Sequence, residues 1–483
     1  MEWGRNLSKE ANVRTCFAQQ PMPTFDWRNV ARVSIDMLPD LALLKIFYFY
    51  VDEEEIEAWQ TLVHVCRNWR IVVFGSPHRL GLRLCCSTST PVRETLDVWP
   101  PLPIVITGED DEKWGVDNII AAVEHNDRIC ELELWLSSSS QMEEVFAAMQ
   151  QPFPTLARLE LQPIGKTVPI VPASFLGGSA PRLRSLCLGY ISFPGLSKLL
   201  LSATNLVHLD LRNIPRSGYI SPEAMVTSLS ILTRLEDLCI GFGSIHSRPD
   251  QKSRRPSTRT LLPVLTKLWL KGASEYLEDF IARIDAPRLD NLTTLFFNQL
   301  IFDTPTLAEF TSRTPKFRGH DEARVVFSYG YVSVIFPQTS DGTLEMAILR
   351  KRSDWQLWSL TQICDSSFPQ ALLMVEHLYI QDRIPQIFWQ DDIESSHWLE
   401  LLHAFTAVKE LYLSQELVPR IAPFLQELVG ERVTEVLPAL QALFLEEPLP
   451  SGPVQEAIGK FVAARQLAGH PIAVSCWKDE EDV

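Results

Sequence analysis

The stretch Leu156-Ala157-Arg158-Leu159-Glu160-Leu161 contains the pattern on which the fold prediction depends. An apolar residue is followed by Leu three positions later and by a second apolar residue two positions after that. The spacing returns in Leu183-Arg184-Ser185-Leu186-Cys187-Leu188. Ten copies begin at Ile129, Leu156, Leu183, Leu206, Leu235, Leu265, Leu292, Val375, Val408 and Leu440. The last two apolar positions alternate with polar ones, which predicts a short strand with one buried face.

Segments with helical apolar spacing lie between these strands, as in Pro222–Leu232 and Tyr276–Ile284. One strand–helix unit has too little apolar surface to fold alone, but stacked units form a parallel sheet with helices along its back. The chain resembles a leucine-rich-repeat solenoid over about three quarters of its length. This implies an α/β fold, an irregular horseshoe with the helices on the convex side. The alternative is a doubly wound α/β domain, in which the strand pattern would not return at a fixed period near 27 residues.

The repeats depart from the family pattern in two ways. The Asn or Cys that usually follows the strand is absent, since that column contains Ser137, Ile164, Ile191, Ile214, Gly243, Ala273 and Leu300. We therefore expect irregular stacking. The interval between Leu292 and Val375 spans about three periods, which predicts two degraded repeats near Val325–Phe336 and Leu344–Leu349.

A different pattern precedes the repeats. Pro39 suits the first turn of a helix, and Leu43, Ile46 and Phe47 then fall on one face. The acidic run from Asp52 to Glu55 suits the start of a second helix, and a third helix is expected around Trp69. Three short helices form only a small core. We expect Leu44, Val65 and Val72 in that core, and a partner surface of Leu38, Pro39, Ile46, Phe47 and Trp69.

These residues resemble the F-box, whose signature is present as Leu38-Pro39, Leu43-Leu44-x-Ile46-Phe47 and Val65-Cys66-Arg67-Asn68-Trp69-Arg70. Leu41 and the single-residue gap before Ile46 depart from it. The whole chain is similar to fungal F-box/leucine-rich-repeat proteins. The resemblance implies docking onto a Skp-family adaptor, and through it onto cullin and RING subunits. It implies these adaptor-binding residues: Leu38, Pro39, Leu43, Ile46, Phe47, Val65, Cys66 and Trp69.

Residues between the buried leucines are expected to point to the concave side of the sheet. The early strands supply mixed charges there, whereas the later ones supply aromatic residues beside polar ones, a composition typical of binding hot spots. The predicted substrate-binding residues are Trp135, Trp269, Phe296, Tyr379, Tyr412 and Phe444. The alternatives are that loops cover these aromatic residues or that they only stiffen the sheet.

Composition excludes several classes of protein. The chain has 483 residues, 46% apolar and 22% charged, and a net charge of −16. These values are globular, and the acidity disfavours binding to nucleic acid. No segment approaches the apolar length that spans a bilayer. Nine dispersed cysteines without C-x-x-C indicate a reducing compartment, cytoplasmic or nuclear. We expect no metal, no cofactor and no enzymatic activity, because H-E-x-x-H, G-x-S-x-G and G-x-G-x-x-G are all absent.

Four segments are predicted: an N-terminal extension, partly disordered, at 1–33, the F-box module at 34–76, the repeats at 77–473 and an acidic tail at 474–483. The predicted function is that of a substrate-recognition adaptor of a cullin-RING ubiquitin ligase for an unknown protein substrate. The alternative is a leucine-rich-repeat scaffold in a ubiquitin-independent F-box complex.

Overall fold

The computed structural model describes residues 35, 38–53, 57–109, 116–165, 167–244, 258–297, 299, 302–328, 330–337, 342–349, 355–367, 369–383, 395–428, 430, 432–446 and 452–477. The predicted extension at 1–33 lies outside these residues. The chain divides into two compact units, Met1–Leu82 and Arg83–Val483, called the N-terminal unit and the repeat unit below. The division falls at residue 82, beyond the predicted boundary at 76.

The part of the N-terminal unit that the structure describes contains three helices, α1 (Asp40–Glu53), α2 (Trp59–Val65) and α3 (Arg67–Phe74). Pro39 stands before α1, and its carbonyl accepts hydrogen bonds from the amides of Ala42 and Leu43. Its missing N–H costs nothing at this position, because the first amides of a helix have no intrahelical partner. The buried apolar residues of these helices are Leu43, Phe47, Trp59, Leu62, Val63, Val72 and Val73.

The described residues of the repeat unit form one sheet of sixteen strands, of order β1-β2-β3-β4-β5-β6-β7-β9-β11-β14-β13-β12-β15-β16-β17-β18. Its strands are β1 (Leu84–Ser87), β2 (Ile104–Glu109), β3 (Ile129–Leu136), β4 (Arg158–Pro163), β5 (Ser185–Gly189), β6 (His208–Ile214), β7 (Asp237–Phe242), β9 (Lys267–Gly272), β11 (Asn291–Phe296), β12 (Glu322–Phe327), β13 (Tyr331–Pro337), β14 (Thr343–Leu349), β15 (His377–Asp382), β16 (Glu410–Leu413), β17 (Ala442–Leu445) and β18 (Ala473–Cys476). Two short strands, β8 (Thr260–Leu261) and β10 (Ile284–Asp285), pair separately.

Helices lie between the strands along much of the repeat unit. They are α4 (Val92–Val98), α5 (Val116–Val123), α6 (Ser139–Ala148), α7 (Leu196–Leu200), α8 (Pro222–Leu229), α9 (Ser274–Ala282), α10 (Pro305–Arg313), α11 (Trp355–Ser367), α12 (Pro369–Leu372), α13 (Ser395–His403), α14 (Val418–Glu427), α15 (Arg432–Glu435) and α16 (Pro453–Leu467). Contacts join α6 to β3, α9 to β9 and α11 to both β13 and β14.

The repeated leucines form the core of the repeat unit. Leu159 lies in register between Leu132 and Leu186, and all three are fully buried. Burial of one leucine side chain contributes about 1.5–3 kcal/mol. The strands up to β7 follow one another in chain order, without the reversal of a doubly wound sheet. The predicted α/β fold of leucine-rich repeats is therefore confirmed, and the doubly wound alternative is excluded.

Backbone hydrogen bonds join neighbouring repeats at the residues that begin the strands, at the opposite end from the position where the family usually carries asparagine. The carbonyl of Arg184 accepts from the amides of Val207 and His208, and the carbonyl of Val207 accepts from those of Glu236 and Asp237. The same pairing recurs through β16 and β17. Main-chain groups thus satisfy one another from repeat to repeat, as buried backbone must.

The prediction of two further repeats between Leu292 and Val375 is wrong. The chain forms the meander β12–β13–β14 instead, with β13 antiparallel to both neighbours. Only three residues separate Phe327 from Tyr331, which is too few for the crossover that parallel strands need. The meander remains in the sheet, because β14 pairs in parallel with β11 and β12 with β15.

The predicted phase of β11 is also wrong, by three positions. Leu292 aligns with Leu268, where the repeat pattern placed Leu295, so Thr294 and Phe296 face the core and Leu295 faces the other side. A shift by an odd number of residues exchanges the two faces of a strand. Phe296 is therefore fully buried and cannot belong to the predicted substrate surface.

The acidic tail was predicted to begin at residue 474, but the chain forms strand β18 over Ala473–Cys476, paired in parallel with β17. Residues 478–483 lie outside the described residues.

Candidate functional site

The sheet side opposite the buried leucines, called the open face, carries one central row of side chains in register. From β1 to β18 the row consists of Ser87, Thr107, Glu133, Glu160, Cys187, Asp210, Cys239, Trp269, Thr293, Glu345, Ile335, Arg324, Tyr379, Tyr412, Phe444 and Ser475. The row is polar at its start and aromatic near its end.

Three predicted residues form an aromatic ladder, defined as Tyr379, Tyr412 and Phe444. The ring centroids of Tyr379 and Tyr412 are 4.2 Å apart and those of Tyr412 and Phe444 are 4.5 Å apart, with interplanar angles of 12° and 8°. Parallel pairing places equivalent residues of adjacent strands side by side, which fixes this stacking. All three side chains remain partly exposed.

Two residues that the repeat pattern did not predict extend the ladder. The guanidinium carbon of Arg324 lies 5.3 Å from the ring centroid of Tyr379, a cation–π contact. The indole of Trp477 lies edge-on to Tyr379 and Tyr412, with its ring centroid 5.6 and 5.5 Å from theirs. Its Nε1–H also donates to the carbonyl of Leu413 at 3.4 Å. Trp477 follows the last strand, outside any repeat, so repeat spacing could not identify it.

A carboxylate borders the ladder. Glu410 accepts a hydrogen bond from the hydroxyl of Tyr412 at 2.6 Å and lies 2.9 Å from Nδ1 of His377. The hydrogen bond from Tyr412 lowers the pKa of Glu410, and His377 acts in the same direction. Desolvation and the Glu410 carboxylate raise the pKa of Tyr412. The ladder therefore presents neutral phenols beside an ionised carboxylate at neutral pH.

The beginning of the open face is polar, and its charges are largely compensated. Nη2 of Arg158 lies 2.9 Å from Oε2 of Glu160, and Nη2 of Arg212 lies 2.9 Å from Oδ2 of Asp210. An ion pair also joins Arg83 to Glu131. Paired charges on an exposed surface contribute little net energy.

Trp135 and Trp269 lie on the open face but not in the ladder. Trp135 is half-buried in β3, and within the described part of the chain its Nε1 has no hydrogen-bond partner. Trp269 lies in β9 beside Arg212, whose guanidinium carbon is 6.0 Å from the indole centroid. The six predicted substrate residues therefore divide into one ladder of three, two separate tryptophans and the buried Phe296.

The predicted adaptor residues also divide by exposure. Leu43 and Phe47 are fully buried, because they form the side of α1 that faces α3, with Phe47 4.7 Å from Trp69 between ring centroids. These two residues are therefore core residues, a correction to the prediction. Leu38, Cys66 and Trp69 are half-buried, and Pro39, Ile46 and Val65 are exposed.

Val65 was expected in the core but is 56% exposed at the end of α2. Sequence reasoning missed five further exposed apolar residues of this unit: Ile35, Leu41, Tyr48, Phe49 and Ile71. The two most exposed are Leu41 at 70% and Ile71 at 60%. Leu41 and Ile71, together with Ile46 and Val65, form what we call the exposed apolar set of the N-terminal unit.

Reactive groups are scarce in the described residues. No three His, Cys, Asp or Glu side chains among them could jointly hold a metal ion. Burial raises the pKa of Cys187 to about 12, so its thiol stays protonated. None of the described helices is both long enough and apolar enough to traverse a bilayer.

No protein-family model and no curated protein matches the chain. Among solved structures it is similar to the leucine-rich repeat-containing protein LegL7 from Legionella pneumophila, with 13% identity and a TM-score of 0.27, over 80% of this chain and 98% of that chain. It is also similar to TLR13 in the TLR13–ssRNA13 complex, with 13% identity and a TM-score of 0.31, over 81% of this chain and 48% of that chain. The assignment of the repeats rests on the strand register and buried leucines of this chain itself.

Proposed function

We propose that this chain is the substrate-recognition subunit of a cullin-RING ubiquitin ligase. Its N-terminal unit docks a Skp-family adaptor, and the open face of its repeat unit holds a protein substrate. The observation that carries the proposal is the exposed apolar set on three short helices, next in sequence to a long repeat sheet.

The exposed apolar set supports docking by its chemistry. Leu41, Ile46, Val65 and Ile71 do not contribute to the small core and remain accessible to water. Several large apolar side chains exposed on one small unit usually mark a surface that a partner covers. The F-box resemblance of the same segment supports a Skp-family adaptor as that partner.

The open face supports the second half of the proposal. The aromatic ladder joins partly exposed rings to a carboxylate at Glu410 and a guanidinium at Arg324. Aromatic groups surrounded by polar ones are typical of the centre of protein interfaces. Substrate binding therefore belongs at the β15–β17 end of the sheet.

The proposed mechanism requires no bond chemistry by this chain. Binding a substrate at one unit and the ligase at the other makes the encounter between a substrate lysine and the conjugating enzyme intramolecular. Tethering of this kind raises the effective concentration of the reactants, and orientation adds to the rate.

Co-purification tests the proposal. The full chain is co-expressed with a Skp-family adaptor and a cullin, and the bound fraction of each is measured by quantitative mass spectrometry. Ile46→Asp and Val65→Asp each place a charge in the exposed apolar set and should reduce adaptor recovery about tenfold or more. Leu467→Asp, at a 90% exposed position of α16, is the matched control and should keep full recovery.

Two outcomes would contradict the proposal. Failure of the wild-type chain to retain the adaptor removes the docking role. Retention of the adaptor without cullin removes the ligase role and favours a leucine-rich-repeat scaffold in a ubiquitin-independent complex.

A further inference from the structure

A β-bulge interrupts strand β6 where it pairs with β7. Leu211 pairs with Ile240 and Ile214 pairs with Phe242, so β6 has one residue more than β7 between these pairs. Arg212 and Asn213 together therefore lie opposite Gly241. Asn213 has φ of 53°, in the left-handed region that non-glycine residues rarely adopt. Bulges and strained residues of this kind are common beside functional sites, where they redirect side chains. Here the bulge supplies two consecutive polar side chains at one point of the open face.

Gly241 leaves room for a flat aromatic ring. A Cβ atom at this position would lie 2.7 Å from Cζ3 of Trp269, so a larger residue would displace the indole. The indole therefore lies across the glycine. The guanidinium carbon of Arg212 lies beside the indole, 6.0 Å from the ring centroid. The arrangement is an aromatic platform bordered by a cation.

The charges around this platform do not balance. Arg212 is compensated, because its Nε and Nη2 lie 3.0 and 2.9 Å from the two carboxylate oxygens of Asp210. Lys271 lies on the other side of Gly241, and its Nζ donates to Oδ1 of Asn213 at 3.2 Å. An amide oxygen carries no charge, and among the described residues Lys271 makes no ion pair. Partial burial also lowers the pKa of Lys271.

We infer that Trp269, Arg212 and Lys271 form a subsite for one carboxylate group of a bound peptide. The ammonium of Lys271 supplies a charge that no described carboxylate compensates. One of its N–H groups donates to Asn213, and the bound carboxylate would accept hydrogen bonds from the others. The indole supports the apolar stem of the acidic residue, and Arg212 borders it. The inference rests on the proposed function only in taking the ligand to be a peptide held on the open face.

Site-resolved lysine acylation tests this subsite in the full chain. The protein is treated with a limiting amount of an acetylating ester at constant ionic strength, and the rate at each lysine is measured by mass spectrometry. The probe is hexaglutamate, with hexaglutamine as the neutral control and inorganic phosphate as the alternative anion. Lys267, exposed on the same strand, is the internal control for simple screening.

Hexaglutamate should slow acylation of Lys271 about threefold at two-thirds occupancy while leaving Lys267 unchanged, and hexaglutamine should protect neither. Trp269→Leu should abolish the protection, whereas Trp135→Leu, at the other open-face tryptophan, should retain it. Equal slowing of both lysines, or no slowing of Lys271, would overturn the inference. Protection by phosphate but not by hexaglutamate would overturn the assignment to a carboxylate.

The readout does not involve the adaptor. Ile46→Asp should lose adaptor binding and keep protection of Lys271, so a failure of the subsite and a failure of the proposed function are distinguishable.

Discussion

The rings of Tyr379 and Tyr412 stack with centroids 4.2 Å apart and planes inclined by 12°. They come from strands β15 and β16, which are 33 residues apart in sequence and adjacent in the sheet. The relationship follows from register, because parallel strands place equivalent positions of successive repeats side by side.

Substitutions at Tyr412 should separate stacking from hydrogen bonding. Tyr412→Phe keeps the ring contacts with Tyr379, Phe444 and Trp477 and loses the hydrogen bond to Glu410. It should therefore reduce the free energy of unfolding by no more than about 1 kcal/mol. Tyr412→Ala removes the centre of the ladder and should cost about 2 kcal/mol, below the usual range because the ring is partly exposed. Chemical denaturation measures both, and equal losses would contradict a role for the stacking.

Arg465 is the fully buried cation of α16 and should be essential to the C-terminal repeats. Its guanidinium donates to the carbonyls of Val433 and Leu440 at 2.9 Å and to that of Leu437 at 3.3 Å. Arg465→Met leaves these acceptors without their donor, so the free energy of unfolding should fall by about 3 kcal/mol or more.

The matched control for Arg465 is Lys460→Met on the same helix. Lys460 is exposed and, among the residues that the structure describes, forms an ion pair only with Glu456, so its loss should leave the denaturation midpoint unchanged. Similar behaviour of the two variants would show that the buried contacts of Arg465 contribute nothing.

Thr294 occupies a core position that Leu270 fills in the neighbouring strand, and replacing this threonine with valine should stabilise the protein. The side chain is fully buried, and within the described residues its Oγ1 has no hydrogen-bond partner. Thr294→Val removes the unsatisfied hydroxyl with little change of shape, so the free energy of unfolding should rise by about 1 kcal/mol. Thr293→Val, on the open face, should change it by less than about 0.5 kcal/mol. Destabilisation by Thr294→Val would indicate that the hydroxyl is satisfied.

His320 should make stability fall in mild acid. Burial is the main reason that its pKa is lowered, although Nδ1 lies 3.3 Å from the carbonyl of Pro337 and Asp321 acts in the opposite direction. Because the unfolded chain binds the proton more readily, this contribution is complete above about pH 6.5 and is lost as the pH falls below it. The thermal midpoint of His320→Gln should fall less between pH 7 and pH 5 than that of the wild type. If the thermal midpoints of the variant and of the wild type fall equally over this pH range, His320 does not contribute to the loss of stability.

Leucine spacing was sufficient to predict the repeat fold, because burial on one side of a short strand imposes its period directly on the sequence. It also placed Tyr379, Tyr412 and Phe444 on the open face, since position within an intact repeat determines the face. The same reasoning failed at Phe296, where Thr294 replaces a leucine and Leu295 fits the pattern equally well. It failed again in the meander, where the turns rather than the apolar spacing determine strand direction.

The sequence by itself determined the repeating strand–helix units, the separate N-terminal helices and the absence of H-E-x-x-H, G-x-S-x-G and G-x-G-x-x-G, because each depends on residues close together in the chain. Only the tertiary structure decided that Trp477 and Arg324 flank the ladder, that Asn213 reaches Lys271 across Gly241, and that Phe47 is covered while Val65 is exposed. Those relationships join residues from different strands or helices. They depend on register, bulges and helix packing, which local spacing does not encode.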